Sequence, residues 1–496
     1  MQSLRFWLKL LQKVLLQHWR CRKMYDHTKQ YRCTIIRGKS QKEMDDFLPA
    51  YAKVIDEICP CDASDFESLF NNAFMRYLPE SERVKKTLDN HRTEISGKLF
   101  GMYFFSEDGK VYESERTQKF LEDNDQPAFF KDICYKMQFP NGSQKTSPTV
   151  TERVADGICI RPNAFLLKLL LIARTAKVDI TKREVGYYVL NSLDVLQGKA
   201  NPYEVLEAIT QDQKAGIERT IYVPGKQSSY NWQHINEQMN YLELANLIRF
   251  TDDKRVVLNP NEMQTIELFA ADWDKKPAFD VYSYDLTTIE NRKLFQYAWD
   301  AYFARISPCA SQFATSAASL VVDVKKPDKP TATPAQTTNL TEFGDEGEQI
   351  VYEYEKKRVA SFNQRLANKV LSLGKTRGLG YDIQSVIAEP GDMAEFVKYI
   401  EVKSTKRLTC PDINDDLWID TLNITRNEWV AAQQHRDFYS IFRVYFTRDG
   451  ISMFVLKNPM QKYQEGKLQA TPMTYRVDFS NIAVDAVITG LQREGA

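Results

Sequence analysis

The sequence is poor in cysteine and histidine. Its 8 cysteines lie at positions 21, 33, 59, 61, 134, 159, 309 and 410, no Cys-x-x-Cys pair occurs, and only 5 histidines are present. Structural zinc sites usually need paired ligands, and a disulfide framework is typical of much shorter secreted chains. We therefore expect reduced thiols and a cytoplasmic protein.

A net charge of one sign is also absent. Lys and Arg together number 66, as do Asp and Glu, so the formal net charge is +0. This balance excludes a uniformly basic chain, and any basic nucleic-acid-binding surface has to be local. What the chain does have is the 43% hydrophobic and 12% aromatic content of a folded protein, and its 496 residues predict two or three domains.

The first 27 residues lack both the uninterrupted apolar core and the small-residue cleavage site of a secretory signal. Apolar residues such as Leu4, Leu8 and Leu11 recur at helical spacing, and Lys9 interrupts them. This pattern predicts an amphipathic helix that is too short and too charged to span a membrane. An ordinary packed helix, a surface-adhering helix and a translation start at Met24 are the alternatives.

Two changes in composition predict the domain boundaries. Prolines and threonines are concentrated from Lys325 to Thr341, which indicates an extended linker. A softer boundary lies between Phe139 and Gly157. We therefore expect an N-terminal α+β region at 1–150, a middle region at 151–322, a Pro/Thr-rich linker at 323–341 and a C-terminal domain at 342–496.

The middle region has the order of elements of a winged-helix fold. Helices are predicted around Asn163–Ala176, around Lys182–Leu196 and up to about Leu247, and two strands that meet at Asp252-Asp253 follow the last helix. A helix followed by a hairpin is the ending of a winged helix. The prediction is a winged-helix-like DNA-recognition region.

Four side chains of this region are candidates for contacts with DNA. Asn236 and Gln238 lie on an amide-rich helix, and such amides can pair with adenine edges in a major groove. Lys254 and Arg255 lie in the predicted wing. A polar helix face that is merely solvated gives the same pattern, and a protein–protein role for the module also stays open.

The C-terminal region contains the stretch "YIEVKST", Tyr399 to Thr405. Successive side chains of a strand point to opposite faces, so Glu401 and Lys403 share one face of the predicted sheet. An antiparallel sheet with one solvated face produces the same alternation. The neighbouring elements therefore decide between a chemical and a structural interpretation.

Those neighbouring elements carry further carboxylates. An upstream helix places Glu348 and Glu355 on its apolar stripe, where a carboxylate needs a cation, a hydrogen-bond donor or a metal. Asp382 opens the strand that precedes "YIEVKST". Downstream, Thr425 and Glu428 fit a capping box, so a structural role is predicted for Glu428.

This order of elements resembles the PD-(D/E)xK nucleases, and specifically the Mrr-related domain found at the end of many restriction and phage-defence proteins. The resemblance covers less than a quarter of the chain and is carried by "GDEGEQIVYEYEKKR", "GLGYDIQSV", "KYIEVKST" and "ITRNEWVAAQQHRDFYSIFRVY". The sequence departs from the family pattern because no proline precedes Asp382. The resemblance implies a restriction-endonuclease-like α/β/α domain with a mixed central sheet.

The resemblance also implies a catalytic site. Asp382 and Glu401, with the carbonyl of Val402, would hold Mg²⁺, or Mn²⁺ as a substitute, because hard cations prefer oxygen ligands. Lys403 would orient the attacking water and stabilise the developing charge. Glu348, and with it Glu355, would complete the site by binding a second metal or by positioning Lys403, and a structural ion pair is the alternative for Glu355.

The function that the resemblance implies is a Mg²⁺-dependent endonuclease of the restriction or phage-defence type that cuts double-stranded DNA, sequence-specific rather than modification-dependent. Cutting both strands predicts a homodimer, and a cognate DNA methyltransferase encoded nearby is expected for classical restriction. Lys406 and Arg407 are expected to contact the DNA backbone, with surface solvation as the alternative. A non-cleaving DNA-binding or assembly subunit and an RNA nuclease are the competing functions, and no membrane partner is expected.

Overall fold

The computed structural model describes most of the chain, namely residues 31, 41–143, 147–219, 221, 227–313, 320, 340–374, 379–389, 396–415, 418–471 and 476–491. The predicted amphipathic helix in the first 27 residues lies outside this described part. So does the predicted linker, except for its last two residues, which belong to a helix that begins at Leu340.

Helices account for much of the described chain. In chain order the α-helices are α1 (Gln41–Ile58), α2 (Phe66–Phe74), α3 (Lys85–Asp89), α4 (Glu115–Asp123), α5 (Gln126–Lys136), α6 (Ser147–Ala155), α7 (Pro162–Ala176), α8 (Lys182–Glu184), α9 (Leu193–Leu196), α10 (Pro202–Lys214), α11 (Gln227–Leu244), α12 (Met263–Ala270), α13 (Ile289–Ala304), α14 (Leu340–Phe362), α15 (Arg426–His435) and α16 (Pro459–Gln464). π-Helical segments at Asn90–Leu99 and Val185–Leu190 continue α3 and α8. The two helices predicted at the start of the middle region are thus confirmed, the second as α8, a π-helical segment and α9.

The strands form four sheets in the described part of the chain. They are β1 (Cys61–Asp62), β2 (Tyr103–Phe105), β3 (Lys110–Glu113), β4 (Ile248–Phe250), β5 (Val256–Leu258), β6 (Leu371–Ser372), β7 (Ile383–Val386), β8 (Val397–Lys406), β9 (Asp420–Asn423), β10 (Tyr439–Thr447), β11 (Gly450–Lys457), β12 (Leu468–Thr471), β13 (Arg476–Phe479) and β14 (Ala486–Leu491). The sheet orders are β1-β3-β2, β4-β5, β12-β13-β9 and β14-β11-β10-β8-β7-β6. Mixed helical and sheet content, as predicted, is confirmed.

Residue contacts divide the chain into two compact units. One comprises residues 1–41 and 130–303, and the other comprises residues 42–129 and 304–496. This division differs from the sequential boundaries expected from composition, because residues 42–129 group with the C-terminal region. Composition reports where a chain is extended or polar, whereas contacts between segments far apart in sequence define a compact unit.

In the first unit, helices surround a short hairpin. Helix α7 packs against α10 and α12, and its side chains Leu167 and Leu169 are fully buried. Helix α11 leads into the antiparallel hairpin β4–β5, whose turn contains Asp252-Asp253 as predicted. The helix-then-hairpin order is therefore present.

In the second unit, the six-stranded sheet is mixed, as predicted. Strands β8 and β10 run parallel, and the other neighbouring pairs are antiparallel. Helix α14 covers one face, where Val351 and Val359 join the core that contains Ile400 and Val402. Gly347 permits this close approach, because a Cβ there would overlap the Ser404 hydroxyl.

The opposite face of the sheet packs against α15 and the sheet β12-β13-β9, through a core that includes Trp429, Ile441 and Phe479. Strand β8 therefore presents Ile400 and Val402 to one layer and Tyr399, Glu401 and Lys403 to the other, as strand geometry requires. None of the helices in the described part of the chain combines the length and the apolar character needed to cross a bilayer.

Candidate functional site

Asp382 immediately precedes β7 and is fixed against β8 by two hydrogen bonds. Its backbone N–H donates to the Ile400 carbonyl at 2.9 Å, and its Oδ2 accepts from the Val402 N–H at 2.8 Å. These bonds bracket Glu401 on the neighbouring strand. Asp382 and Glu401 interact directly as a result, so the structure brings the two predicted carboxylates together.

Lys403 is bound by two carboxylates from different elements. Its Nζ lies 2.7 Å from Glu401 Oε1 on the same strand and 2.8 Å from Glu428 Oε2 on α15. The Lys403 side chain is 21% exposed, whereas those of Glu401 and Glu428 are 4% and 13% exposed. The site is thus a cluster of four charged groups that retains a limited opening to solvent at the ammonium.

Burial dominates the electrostatics of this cluster. Loss of water raises the pKa of Glu401 well above its ordinary value, against the opposing effect of Lys403. It also raises the pKa of Asp382, although the Val402 N–H and Lys403 offset part of the shift. Burial alone would lower the pKa of Lys403, but Glu401 and Glu428 outweigh it and raise that pKa. Lys403 is therefore held as an ammonium ion and is not a proton acceptor.

The oxygen atoms of this cluster are the kind of donor that a divalent cation prefers. Burial disfavours the ionised forms of Asp382 and Glu401, and a bound cation would stabilise those forms. Within the described ranges, no group of three or more His, Cys, Asp or Glu side chains is arranged to hold a metal. The donor set that fits is two carboxylates, of Asp382 and Glu401, with a main-chain oxygen such as the Val402 carbonyl.

The two glutamates of α14 have different surroundings. The Glu348 carboxylate lies against Gly374, where a Cβ would overlap it, and the adjacent Leu373 N–H donates to the Asp382 carbonyl at 2.6 Å. Glu348 thus reaches the backbone that pairs with Asp382, but it is not part of a three-carboxylate metal group. Its role as a catalytic or metal-binding residue stays a prediction.

Glu355 belongs to a buried ion-pair network on the other side of β7. Its carboxylate accepts from Arg358 at 2.7 Å and from the Ser385 hydroxyl at 2.7 Å, and it lies 3.1 Å from Lys398 Nζ. The Arg358 guanidinium also donates to backbone carbonyls at the end of β7. Glu355 therefore stabilises the fold, which was the structural alternative for this residue.

Lys406 and Arg407 correct the expectation that they contact DNA. They are 2% and 5% exposed. Lys406 Nζ lies 2.8 Å from Asp125 Oδ2, and Arg407 lies 2.7 Å from Asp46 Oδ1. Both cations are satisfied by carboxylates of residues 42–129, so their positive charge is not presented to a phosphate.

The amide-rich helix α11 is only partly a polar surface. Asn236 is exposed, as a DNA-reading residue has to be. Gln238 is 5% exposed, and its amide donates to the His234 carbonyl at 3.1 Å. The expectation that Gln238 reads DNA is therefore wrong for this conformation, because the helix turns this amide into the interior.

The two cations of the hairpin turn also differ in how far their charges are available to a ligand. Lys254 is exposed and adopts a positive φ of 64°. Arg255 is 39% exposed and is paired with Asp179 at 3.1 Å and Asp253 at 2.6 Å. Of the two, Lys254 is the one whose charge is available at the surface.

Aromatic rings border the carboxylate cluster on β8. Tyr399 stacks on His435 with ring centroids 3.7 Å apart, and Tyr381 lies 4.7 Å from Tyr399. Burial lowers the pKa of His435, so the imidazole is neutral near pH 7. Tyr399 thus packs between His435 and Tyr381.

Glu428 is the residue of this site that the sequence interpretation missed. Its capping box with Thr425 is confirmed, and that motif correctly signals the start of α15. The same carboxylate has a second partner, Lys403, which no spacing in the sequence reveals. The order strand, helix, parallel strand, with the helix packed over the strands, was the available signal that α15 begins near the Glu-x-Lys face.

Comparisons with known proteins match two parts of the chain. Residues 25–300, more than half of the chain, match the family model "Restriction endonuclease BpuJI - N terminal". Residues 347–456 match the family model "Protein NO VEIN, C-terminal". No curated protein sequence matches significantly.

A solved structure also matches. It is titled "Crystal structure of pyrene- and phenanthrene-modified DNA in complex with the BpuJ1 endonuclease binding domain", and it is 50% identical in sequence to this chain with a TM-score of 0.54. The match covers 56% of this chain and 99% of that chain. The similarity to the BpuJI N-terminal family model thus spans the N-terminal and middle regions. The similarity to the NO VEIN C-terminal model spans the carboxylate cluster.

Proposed function

Because the chain belongs to the family of the N-terminal domain of restriction endonuclease BpuJI, we propose that it is a metal-dependent DNA endonuclease of the restriction or phage-defence type. The observation that carries the proposal is the convergence of Asp382, Glu401 and Lys403 on the neighbouring strands β7 and β8. The domain similar to the BpuJ1 binding domain selects double-stranded DNA, and the C-terminal region cuts it.

DNA selection is assigned to residues 25–300. The relative in the solved complex is 50% identical to this chain over 56% of its length, and its title describes a complex with modified DNA. The helix–hairpin order α11–β4–β5 supports a winged-helix-like reader, and the exposed Asn236 and Lys254 are its remaining candidate contacts. An amide at a helix surface reads base edges, whereas a lysine neutralises a phosphate, so the first sets sequence preference and the second sets affinity.

Cleavage is assigned to the mixed sheet with α14 on one face and α15 on the other, which supports a restriction-endonuclease-like fold of the PD-(D/E)xK type. Asp382 and Glu401, with the Val402 carbonyl, would hold Mg²⁺ or Mn²⁺. When bound, the metal supplies charge neutralisation at the phosphate and a lowered pKa for water. The Val402 N–H holds the Asp382 carboxylate in place, and the low exposure of Glu401 keeps competing water away.

The reaction is hydrolysis of one phosphodiester bond. The water oxygen forms a bond to phosphorus, and one phosphorus–oxygen bond to a sugar breaks. The water loses a proton to solvent, and the leaving sugar oxygen takes up a proton from solvent and becomes a hydroxyl. Lys403, held as an ammonium, donates a hydrogen bond to the attacking water or to a phosphate oxygen and so stabilises the charge that develops there. It is not the general base.

Cleavage of double-stranded DNA needs one cut in each DNA strand, so the active form is proposed to be a homodimer or a pair formed on DNA. A sequence-specific enzyme of this kind is toxic to its own host unless the host sites are protected. A cognate DNA methyltransferase is therefore the proposed companion activity, in the cytoplasm where the chromosome lies.

The test uses the purified full-length protein and plasmid DNA prepared from hosts with and without DNA methyltransferases, in Mg²⁺, Mn²⁺ or EDTA. We expect discrete fragments from unmethylated DNA in either metal and none in EDTA. Asp382→Ala and Lys403→Met, shown to be folded, lose about a hundred- to a thousandfold in rate. No cutting of any DNA, with intact DNA binding, would instead identify a non-cleaving subunit, and degradation of RNA alone would identify an RNA nuclease.

A further inference from the structure

We propose that Glu428 is a positioning residue that holds the Lys403 ammonium in the place where catalysis needs it, a role that rests on the proposed nuclease function. The residue is a helix-capping glutamate by sequence, and nothing in that motif requires contact with a catalytic lysine. Its carboxylate nevertheless lies 2.8 Å from Lys403 Nζ, almost as close as that of Glu401 at 2.7 Å.

A single carboxylate would fix Lys403 poorly. Lys403 has a flexible four-carbon stem, and Glu401 belongs to the same strand and is the proposed metal ligand. A glutamate that turns an oxygen towards a metal binds the ammonium less strongly. Glu428 comes from a different element and leaves the ammonium with a partner that the metal does not engage.

Glu428 is itself held rigidly. Its Oε2 accepts from the Thr425 N–H at 3.0 Å, and its own N–H donates to the Thr425 hydroxyl at 3.3 Å. The next residue, Trp429, is 3% exposed and packs in the core on this side of the sheet. The Thr425 N–H therefore fixes the carboxylate, and the carboxylate fixes Lys403.

The chain offers two substitutions that separate the cap from the ion pair. Gln is as good as Glu at the third position of a capping box, so Glu428→Gln keeps the cap and removes the charge that faces Lys403. Thr425→Ala removes half of the box and leaves the Glu428 carboxylate and its Thr425 N–H donor in place. Glu428→Gln should therefore mainly affect catalysis, and Thr425→Ala should mainly affect stability.

We expect Glu428→Gln to lower kcat for DNA cleavage by about tenfold to a hundredfold, a smaller loss than that caused by removing a charge-stabilising group itself. KM for DNA should stay close to that of the wild type, and the melting temperature should fall by less than it does in Lys403→Met, because Lys403 keeps its contact with Glu401. Thr425→Ala should lower the melting temperature by a few degrees, as the loss of a cap does, and should retain kcat at a temperature where it is folded. Glu428→Asp, whose shorter side chain still carries the charge, should recover part of the activity.

A second measurement needs no activity. In EDTA, the melting temperatures of Lys403→Met, Glu428→Gln and the double variant form a double-mutant cycle. If Glu428 binds Lys403, the two substitutions together lower the melting temperature by less than the sum of their separate effects. The same cycle with Thr425→Ala in place of Glu428→Gln should be additive.

The outcomes distinguish the inference from the proposed function. If the wild type cuts DNA and Glu428→Gln cuts it at the same rate, the positioning role is wrong and the nuclease function stands. If the wild type does not cut DNA at all, the nuclease function fails, and the EDTA cycle still decides whether Glu428 and Lys403 are coupled. Additivity in that cycle overturns the inference in either case, including the case in which Glu428→Gln is unstable.

Discussion

The Lys406 ammonium is bound by the Asp125 carboxylate at 2.8 Å although 281 residues separate them in the chain. Both side chains are buried, and the Thr405 hydroxyl and the Lys406 N–H add hydrogen bonds to the Asn124 carbonyl. Lys406 lies at the end of β8, the strand that carries Glu401 and Lys403. Residues 42–129 are therefore bonded to the end of the proposed catalytic strand.

The first prediction concerns this pair. Lys406→Met leaves the Asp125 carboxylate buried without its ammonium, and breaking a buried ion pair from one side costs about 3 to 5 kcal/mol. We expect that loss in the free energy of unfolding by urea. Lys457→Met, at a side chain that is 54% exposed, should change stability by less than about 0.5 kcal/mol. A stable Lys406→Met protein with a weaker salt dependence of DNA binding would instead restore the phosphate-contact interpretation.

The second prediction concerns acid stability. Burial alone would raise the pKa of Glu355, but Lys398, Arg358 and the Ser385 hydroxyl outweigh it and lower that pKa below its ordinary value. A carboxyl with a lowered pKa in the folded state stabilises the protein above its unfolded pKa of about 4.3 and loses that contribution as the pH falls through the folded value.

Glu355→Gln should therefore destabilise the protein at pH 7, and its stability should fall less steeply than that of the wild type below about pH 4.3. The measurement is the urea midpoint between pH 3 and pH 7. Glu353→Gln, on the same helix, is the matched control. Parallel stability curves for the wild type and Glu355→Gln would exclude this network as a source of acid sensitivity.

The third prediction separates the two cations of the hairpin turn. Lys254→Gln should weaken DNA binding and reduce the slope of log K against log salt by about 0.9, the contribution of one phosphate contact. Arg255→Gln should have a smaller effect on that slope, because Asp179 and Asp253 already pair with the guanidinium.

A converse substitution sharpens this test. Asp253→Asn removes a carboxylate of the turn and partly releases Arg255, so we expect tighter binding and a steeper salt slope. Binding isotherms at several salt concentrations measure all three variants. If none of them alters affinity or slope, the hairpin is not on the DNA-facing surface, and a partner-binding role for the module becomes the better interpretation.

The fourth prediction uses DNA binding without metal. In EDTA the buried carboxylates repel a phosphate, so Asp382→Ala should tighten DNA binding and Lys403→Met should weaken it. Changes of about three- to tenfold, or about 0.7 to 1.4 kcal/mol, are expected in each direction. Fluorescence anisotropy with labelled duplex DNA measures both. Changes of the same sign would mean that DNA does not approach this cluster.

Local rules recovered a large part of this molecule from its sequence. The alternation of "YIEVKST" correctly separated Ile400 and Val402 from Glu401 and Lys403, because strand geometry is set by adjacent residues. The capping box at Thr425 and the hairpin turn at Asp252-Asp253 were equally local. The mixed sheet, by contrast, was expected from the resemblance to the PD-(D/E)xK nucleases.

The incorrect predictions share one cause. Lys406, Arg407 and Gln238 were assigned to the surface because polar side chains usually lie there. Each is buried because it has a partner: Asp125 and Asp46 for the two cations, and the His234 carbonyl for the amide. For the two cations, sequence spacing carries no information about carboxylates that lie hundreds of residues away. The contact between Glu428 and Lys403 was missed because it joins a helix to a strand, and no local spacing in the sequence reveals such a contact.

The Asp125–Lys406 pair also has a consequence for folding during synthesis on the ribosome. A ribosome that adds about 5 to 20 residues per second needs roughly a quarter of a minute to a minute to pass from Asp125 to Lys406. During that time Asp45, Asp46 and Asp125 have been synthesised while the cations that neutralise them have not. Residues 42–129 therefore cannot complete their packing until strand β8 has left the ribosome.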